Sequence, residues 1–252
     1  MKTITFIGNG NMAFSIAEGL KENYKIEVVG RDSKKLDAFE QKLGLHVKKS
    51  LLNNFSIDKK SIVLCVKPAN VEEVSAKLQG NAQVLYSVLA GTSIEKLKSN
   101  FNASAVVRAM PNLAASVGKS MTTLTGDIAY KEEALALFSS IGTIRWLGSE
   151  KEINIATALA GSGPAYLALI AEAFTDGAVK QGLKREDAMA IMRGLFNGFG
   201  TLIQEIHPAL LKDGVMSPGG TTAAGYSALE QGNVRSACIE AIEKAYKKAV
   251  EL

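Results

Sequence analysis

Cysteine and histidine are scarce in this sequence, each occurring only twice in 252 residues. Cys65 and Cys238 are far apart, as are His46 and His207, so neither a disulfide framework nor the ligand spacing of a zinc site is present. The absence of a disulfide framework excludes a disulfide-stabilised secreted domain. We therefore expect a cytoplasmic protein without a metal site.

Long hydrophobic runs and blocks of like charge are also missing. The apolar run near the N-terminus is too short for a signal peptide, and we expect no run of membrane-spanning length. The net charge is +4, but lysines and arginines are scattered among acids, which does not produce a nucleic-acid footprint. We expect a small-molecule ligand, with neither nucleic acid nor membrane as a partner.

The strongest local pattern in the first half begins with Ile4–Ile7, which predicts a short buried strand. Residues 8–13 then read G-x-G-x-x-A and lead into a helix whose apolar residues recur every four positions. Gly8 permits the tight turn, Gly10 lets a pyrophosphate approach the backbone, and Ala13 keeps helix and strand close. The pattern predicts a dinucleotide site.

The end of the second predicted strand, Ile26–Val29, bears on the choice of dinucleotide. Gly30 stands where an enzyme that prefers NAD usually has an acid for the ribose hydroxyl. Arg31 and Ser33 offer a donor fork and a hydroxyl that suit a 2′-phosphate. Asp32 could turn inward and reverse the preference. We predict NADPH, with NADH as the weaker alternative.

Strands alternate with helices up to about residue 148, which predicts an α/β fold with a doubly wound, Rossmann-type domain over residues 1–149. The run at 62–66 is wholly apolar, as expected of a central parallel strand. The further predicted strands are Leu45–Lys48, Val84–Leu89, Ala105–Arg108, Thr122–Thr125 and Thr143–Leu147.

The strand pattern stops at Glu150, which predicts an all-α domain over residues 150–252. Its first helix is expected to break at residues 161–164, which read G-S-G-P. Small residues on the long helices favour close packing, and we expect this domain to form a dimer or a ring of dimers. The predicted long helices are Gly163–Lys180, Arg185–Glu205 and Asn233–Leu252, with a short one at Pro208–Val215.

The segment Ser217–Thr222 interrupts this helical half. Its proline and two glycines cannot continue a helix, so it predicts a loop that feeds a helix N-terminus. Such a loop presents unpaired backbone N–H groups to a small anion. The alternative is a simple helix start capped by a serine or threonine side chain.

Several motifs together resemble those of pyrroline-5-carboxylate reductases, and the resemblance covers the whole chain. The segment from Ser217 to Gly225 is close to the family signature. Gly214 departs from the pattern, since some members carry an asparagine there. The other motifs are the glycine turn at 8–13, Val66-Lys67-Pro68, Met110-Pro111-Asn112, Gly161–Tyr166, His207-Pro208 and Leu211-Lys212-Asp213.

The resemblance implies reduction of the C=N bond of 1-pyrroline-5-carboxylate by NADPH, giving L-proline in the last step of proline biosynthesis. It implies that Thr222 places its hydroxyl near the imine nitrogen. Ser217, Gly219, Gly220 and Thr221 are expected to hold the carboxylate, and Glu150 lines up with a family acid expected to contact substrate. The expected cofactor contacts are Ile7, Gly8, Asn9, Gly10, Asn11, Met12, Arg31, Ser33, Asn54, Val66, Lys67, Pro68 and Ala90.

Two other functions remain open from the sequence. One is an NADP-dependent imine reductase with another substrate, and the other is a dinucleotide-binding protein without turnover. A β-hydroxyacid dehydrogenase has the same domain order, but its lysine after the Gly-x-Gly turn is absent here, because residues 164–168 read P-A-Y-L-A. Loss of NADPH absorbance on adding pyrroline-5-carboxylate separates these functions.

Overall fold

The structure, a computed structural model, describes residues 1–251 as two compact units. The first unit comprises Met1–Ser162 together with the chain from Lys244 onward, and the second comprises Gly163–Glu243. The boundary between the compact units thus follows Ser162. The domain boundary expected at residue 150 stays a prediction.

An eight-stranded sheet forms the centre of the first unit, in the order β10-β9-β8-β7-β5-β1-β2-β3. The six strands from β8 to β3 are parallel, whereas β9 is antiparallel to β8 and parallel to β10. Strands β4 and β6 pair separately. The strands are β1 Thr3–Ile7, β2 Lys25–Gly30, β3 Lys48–Leu51, β4 Phe55–Ser56, β5 Ser61–Leu64, β6 Leu78–Gln79, β7 Val84–Ser87, β8 Val106–Met110, β9 Ser120–Gly126 and β10 Gly142–Trp146.

Helices cover both faces of this sheet, so its central strands are buried on both sides. Phe6, Leu64 and Tyr86 are completely buried, and two apolar clusters lie one on each face. Such double burial is typical of parallel strands joined by helical crossovers. The helices of this unit are α1 Asn11–Leu20, α2 Ser33–Leu43, α3 Val71–Ser75, α4 Ile94–Asn100, α5 Lys131–Phe138 and α6 Glu150–Ala156.

The position of β3 corrects the sequence prediction. We expected a strand at Leu45–Lys48, but β3 begins at Lys48 and ends at Leu51. It is one of the two edge strands of the sheet, and its lysines are exposed. Edge strands are often charged because charge prevents unwanted pairing, so the apolar pattern pointed to the preceding loop instead.

The second unit is helical throughout. The predicted bounds of α7, α8 and α9 match the structure residue for residue. Asn233 directly precedes the last helix with a positive φ of 55°, and that helix crosses from the second unit into the first. The helices are α7 Gly163–Lys180, α8 Arg185–Glu205, α9 Pro208–Val215, α10 Thr221–Gln231 and α11 Val234–Glu251.

The expected break at residues 161–164 is wrong. A π turn at Thr157–Gly161 connects α6 to α7, because the Ser162 amide donates to the Thr157 carbonyl at 3.0 Å. Pro164, the second residue of α7, directly follows this π turn, where the regular i→i−4 bonding is already interrupted.

The stretch Glu150–Lys180 therefore forms one helical segment of 31 residues. By length and composition alone it is apolar enough to cross a membrane, contrary to the expectation that no run has that length. Only 11% of its most apolar window is buried. A helix that packs in an oligomer presents the same kind of apolar surface in a single chain.

Candidate active site

The turn after β1 is shaped by close approach of the backbone. Gly8 has a φ of +107°, and a Cβ atom there would lie 2.5 Å from the carbonyl oxygen of Cys65. Its amide donates to the Val29 carbonyl at 2.9 Å. A side chain at Gly8 would collide with backbone that cannot move easily, so the turn requires glycine.

The start of α1 leaves backbone donors without partners inside the helix. Gly10 is the N-cap, no side chain caps the helix, and the Phe14 amide donates back to the Gly10 carbonyl at 3.0 Å. The amides of residues 11–13 precede that first helical bond. A Cβ at Gly10 would meet nothing within 4 Å. The residues therefore fit a pyrophosphate bound against the helix N-terminus.

A cleft of about 400 Å³ opens at this turn, along the carboxyl ends of β1, β2 and β5. It is the place where open α/β sheets bind dinucleotides. Seven of the expected cofactor contacts line it: Ile7, Gly8, Asn9, Gly10, Arg31, Val66 and Lys67. Six further lining residues are not among the expected contacts: Val29, Gly30, Leu52, Cys65, Asn70 and Val74. Of these, only Gly30 was considered from the sequence, as the residue in place of the ribose-binding acid.

The other six expected contacts are not among the residues that line this cleft. Asn11 lines a neighbouring cleft of about 380 Å³, which shares Asn9 and Gly10 with the first and also includes Lys35 and Lys42. Ser33 lines a smaller depression between α2 and β3. The expected contacts that line none of these three clefts are Met12, Asn54, Pro68 and Ala90.

The loop between β2 and α2 settles the orientation of Asp32. Its carboxylate caps α2 and accepts hydrogen bonds from the amides of Lys34 at 2.9 Å and Lys35 at 3.3 Å. The inward turn that would favour NADH is therefore not adopted. Arg31 lines the cleft, and its Nη1 lies 3.4 Å from Oε2 of Glu73 on α3.

Cys65 is the one thiol in the cleft. Burial raises the pKa of its side chain well above the ordinary range, so the thiol stays protonated at neutral pH. Its contribution to the cleft is the backbone carbonyl that faces Gly8. Nucleophilic cysteine chemistry is therefore not expected here.

Glu150 begins α6 and is held inside the first unit. Its Oε1 accepts from Nη1 of Arg108 at 2.7 Å and from the Ile94 amide at 2.8 Å. Arg108 is only 3% exposed, and its Nη2 also donates to Asn154 at 3.2 Å. Glu150 thus joins β8 to the start of α4. Its expected contact with substrate stays a prediction.

The segment 217–220 in the second unit folds as a tight turn. The Gly220 amide donates to the Ser217 carbonyl at 3.0 Å, Pro218 occupies the second position, and Gly219 has a φ of +71°. Proline at the second position and a positive φ at the third define a type II turn. The turn therefore requires both the proline and the glycine that the sequence supplies.

Helix α10 begins directly after this turn, and no side chain caps it. Its N-cap is Gly220, so the alternative of a serine or threonine cap is wrong. The first helical bond runs from the Ala224 amide to the Gly220 carbonyl at 3.2 Å. The preceding amides, at residues 221–223, are left for a ligand or water. Thr222 is exposed within this first turn.

Family comparisons match both halves of the chain. Residues 150–252 match the model described as pyrroline-5-carboxylate reductase dimerisation, and residues 3–91 match the one described as NADP oxidoreductase, coenzyme F420-dependent.

Curated relatives match over most of the chain. A pyrroline-5-carboxylate reductase of Synechocystis sp. is 40% identical over 76% of this chain and 74% of its own length. One of Pisum sativum is 36% identical over 99% of this chain and 96% of its own.

Solved structures give the same result. A pyrroline-5-carboxylate reductase from Coxiella burnetii has a TM-score of 0.83 at 34% identity and covers 98% of this chain and 97% of its own. The Plasmodium falciparum pyrroline carboxylate reductase with NADP bound has a TM-score of 0.81 at 27% identity, covering 99% and 98%.

Proposed function

The chain belongs to the pyrroline-5-carboxylate reductase family, and we propose that its turn at 217–220 binds the substrate carboxylate while the cleft after β1 binds the dinucleotide. Its activity is NAD(P)H-dependent reduction of 1-pyrroline-5-carboxylate to L-proline. The observation that carries the site assignment is the uncapped start of α10, where an exposed turn rich in glycine precedes backbone amides without helical partners.

The reaction depends more on correct positioning of the substrate than on an acid catalyst. When bound, a reduced nicotinamide would supply a hydride to the carbon of the C=N bond, and the protonated imine is already electrophilic. The chain must therefore hold the ring still and at the correct distance. We assign the cofactor's pyrophosphate to the amides at the start of α1, beside Gly8 and Gly10.

The substrate carboxylate is assigned to the start of α10. Gly219 and Gly220 carry no side chain that would shield the backbone, and Thr221 provides the first amide of the helix. The positive end of the helix dipole adds to this attraction. We include Ser217 as a hydroxyl donor in the same turn, since its side chain is exposed.

Thr222 is assigned the contact with the ring nitrogen. Its hydroxyl lies one residue beyond the first amide of α10, on the same turn as the carboxylate-binding groups. A hydroxyl can donate a hydrogen bond to the lone pair that develops on the nitrogen as hydride adds to the protonated imine. We propose that this hydrogen bond strengthens in the transition state.

We infer a preference for NADPH over NADH from the loop after β2. Arg31 lines the cleft with a positive charge, and Asp32 is turned away to cap α2. Ser33 begins α2 beside them. An arginine without a competing inward acid favours a 2′-phosphate.

The test of Thr222 uses its neighbour as a matched control. Thr222→Ala should lower kcat and kcat/KM together by about ten- to a few hundredfold, as expected for one lost transition-state hydrogen bond, and should leave NADPH affinity unchanged. Thr222→Ser should keep much of the rate. Thr221→Ala removes a hydroxyl from the same turn but keeps the amide, and should remain active.

The readouts are NADPH absorbance with pyrroline-5-carboxylate and the melting temperature of each variant. Because the N-cap is Gly220, Thr222→Ala should melt like the wild type. A Thr222→Ala enzyme with full kcat would remove Thr222 from the mechanism. If the wild-type protein oxidises NADPH with another cyclic imine but not with pyrroline-5-carboxylate, the substrate assignment is wrong.

The chain is an oligomer, and we propose a dimer, or a ring of dimers, as the active form in the cytoplasm. The support is the large exposed apolar surface of α7 and α8. Light scattering measures the assembly directly. A fully active monomer at assay concentration would contradict the proposal.

A further inference from the structure

We propose that Glu73 on α3 is a specificity-determining residue, which competes with the 2′-phosphate of NADPH for Arg31. The proposal rests on the proposed function, because it assumes that the cleft after β1 binds the dinucleotide. It adds a residue 42 positions away from Arg31 that acts against the phosphate-bearing cofactor.

The ion pair joins two elements that both line the cleft. Arg31 lies on the loop after β2 and lines the cleft directly. On α3, Val74 lines the cleft directly after Glu73 in sequence, as does Asn70 just before the helix. Arg31 Nη1 and Glu73 Oε2 are 3.4 Å apart, so the carboxylate pairs with one terminal nitrogen of the guanidinium that a 2′-phosphate would bind.

Glu73 has a second cation close by. Nζ of Lys77 lies 2.7 Å from its Oε1, one helical turn further along the chain. This contact with Lys77 is the main reason that the pKa of Glu73 is lowered, so the carboxylate is charged at neutral pH. When Arg31 turns to a phosphate, Lys77 still neutralises Glu73, which makes the exchange of partners feasible.

Charge explains why only one cofactor is affected. A 2′-phosphate carries nearly two negative charges at neutral pH. To bind Arg31 it must either displace Glu73 or share the guanidinium with it. NADH has a hydroxyl at that position and does not compete. The side chains of Arg31 and Glu73 are 58% and 47% exposed, so water and salt screen the pair. The effect should therefore be that of a surface ion pair, about two- to fivefold in affinity.

The experiment measures the Kd of the whole enzyme for NADP⁺ and NAD⁺ by calorimetry. Glu73→Gln should bind NADP⁺ about two- to fivefold more tightly, because Arg31 is released, and should bind NAD⁺ as the wild type does. Glu72→Gln is the matched control. It removes the same charge from the adjacent exposed acid of the same helix, and it should leave the ratio of the two Kd values unchanged.

Lys77 provides a second, opposite arm. Lys77→Gln leaves Arg31 as the remaining partner of Glu73, so NADP⁺ should bind about two- to fivefold more weakly. If Lys77 acts through Glu73, this loss should disappear in the double variant Glu73→Gln/Lys77→Gln. A loss that persists in the double variant would mean that Lys77 attracts the phosphate on its own account.

Two results overturn the proposal. One is a Glu73→Gln protein whose ratio of Kd values equals that of Glu72→Gln. The other is weaker NADP⁺ binding by Glu73→Gln, which would mean that Glu73 orients Arg31 for the phosphate. Failure of the proposed function gives a different result, since wild-type protein would then bind neither dinucleotide.

Discussion

The two units of the chain differ in how far their apolar residues are buried. In the first unit, strands such as β1, β5 and β7 bury whole runs of apolar side chains between helices. Within the described residues of the second unit, Gly163–Glu243, Ala188 is the only buried hydrophobic residue. Its exposed large apolar residues include Leu167, Leu169, Phe174, Ile191, Leu195, Phe199, Leu202, Leu210 and Ile239.

This difference means that the first unit has a core of its own, whereas the second unit does not complete one within a single chain. A helical unit that leaves so many apolar side chains in water gains little from burial. The match of residues 150–252 to a dimerisation family agrees with a core completed between chains. The stability of the second unit should therefore depend on protein concentration.

The largest expected effect breaks the assembly. Ile191→Glu places a charge on the apolar face of α8, where Ile191 is 61% exposed in the single chain. Burying that charge in an interface costs several kcal/mol, so we expect dissociation and about a hundredfold or greater loss of activity. Ile128→Glu makes the same change at a position that is 70% exposed in the first unit.

Light scattering and NADPH oxidation, measured on one preparation, check this pair of variants. Ile128→Glu should remain assembled and active. An Ile191→Glu protein that keeps its mass and rate would place the interface elsewhere.

Core truncations sharpen the contrast through concentration. Phe6→Ala removes a side chain that is completely buried in the first unit and should cost about 3–5 kcal/mol. The resulting fall in melting temperature should be the same at every protein concentration. Leu195→Ala changes a position that is 54% exposed in the single chain. It should lower the melting temperature of the assembled second unit, and that temperature should rise with protein concentration. Scanning calorimetry at several concentrations measures both, and equal concentration dependence would contradict the comparison.

Acid sensitivity should belong to the first unit through Glu27. This carboxylate is buried, which opposes ionisation, but ion pairs with Lys48 and Lys60, each at 2.8 Å, outweigh burial and lower its pKa. A lowered folded-state pKa stabilises the fold above the ordinary carboxyl range, and this contribution is lost as pH falls below about 4.3.

Glu27→Gln should therefore cost about 1–3 kcal/mol at neutral pH and flatten the acid branch of the stability curve. Urea denaturation at pH values between roughly 3 and 7, a range that includes carboxyl titration, measures both. Glu18→Gln is the control, since that carboxylate is 39% exposed and pairs with Lys21 one helical turn away. An unchanged acid branch in Glu27→Gln would assign the sensitivity to other carboxylates.

A smaller effect is expected on cofactor choice. Arg31→Ala should weaken NADPH by about 1.5 kcal/mol, roughly tenfold, and leave NADH nearly unchanged. Arg235→Ala removes a similarly exposed arginine from an ion pair in the second unit and should not alter the preference. Kinetics with both cofactors measure the ratio. Equal losses for NADPH and NADH in Arg31→Ala would refute its contact with the phosphate.

Sequence patterns predicted regular elements well where one physical rule decides the outcome. The apolar recurrence along α1 and the proline and glycines at 217–220 led to the observed helix and turn. The edge strand β3 was misplaced because its burial pattern is polar. The π turn was missed because glycines usually end helices, whereas here an extra residue continues the helix.

The site was predictable only where function depends on consecutive residues. The glycine turn at 8–13 was found because its spacing records the backbone geometry. The Arg31–Glu73 pair joins residues 42 apart, and no local pattern reports such a contact. Asn70 and Val74 line the cleft through the placement of α3 and carry no motif of their own.

The lysines on β3 affect how newly synthesised chains associate with one another. Lys48 and Lys49 lie on one of the two edges of the sheet, and Lys48 forms an ion pair with Glu27 on the neighbouring strand β2. A strand from another molecule that tried to extend the sheet would have to desolvate these charges. While the helices still await their partner, encounters through the sheet edge are therefore discouraged, and association is steered toward helical surfaces that can form a closed assembly.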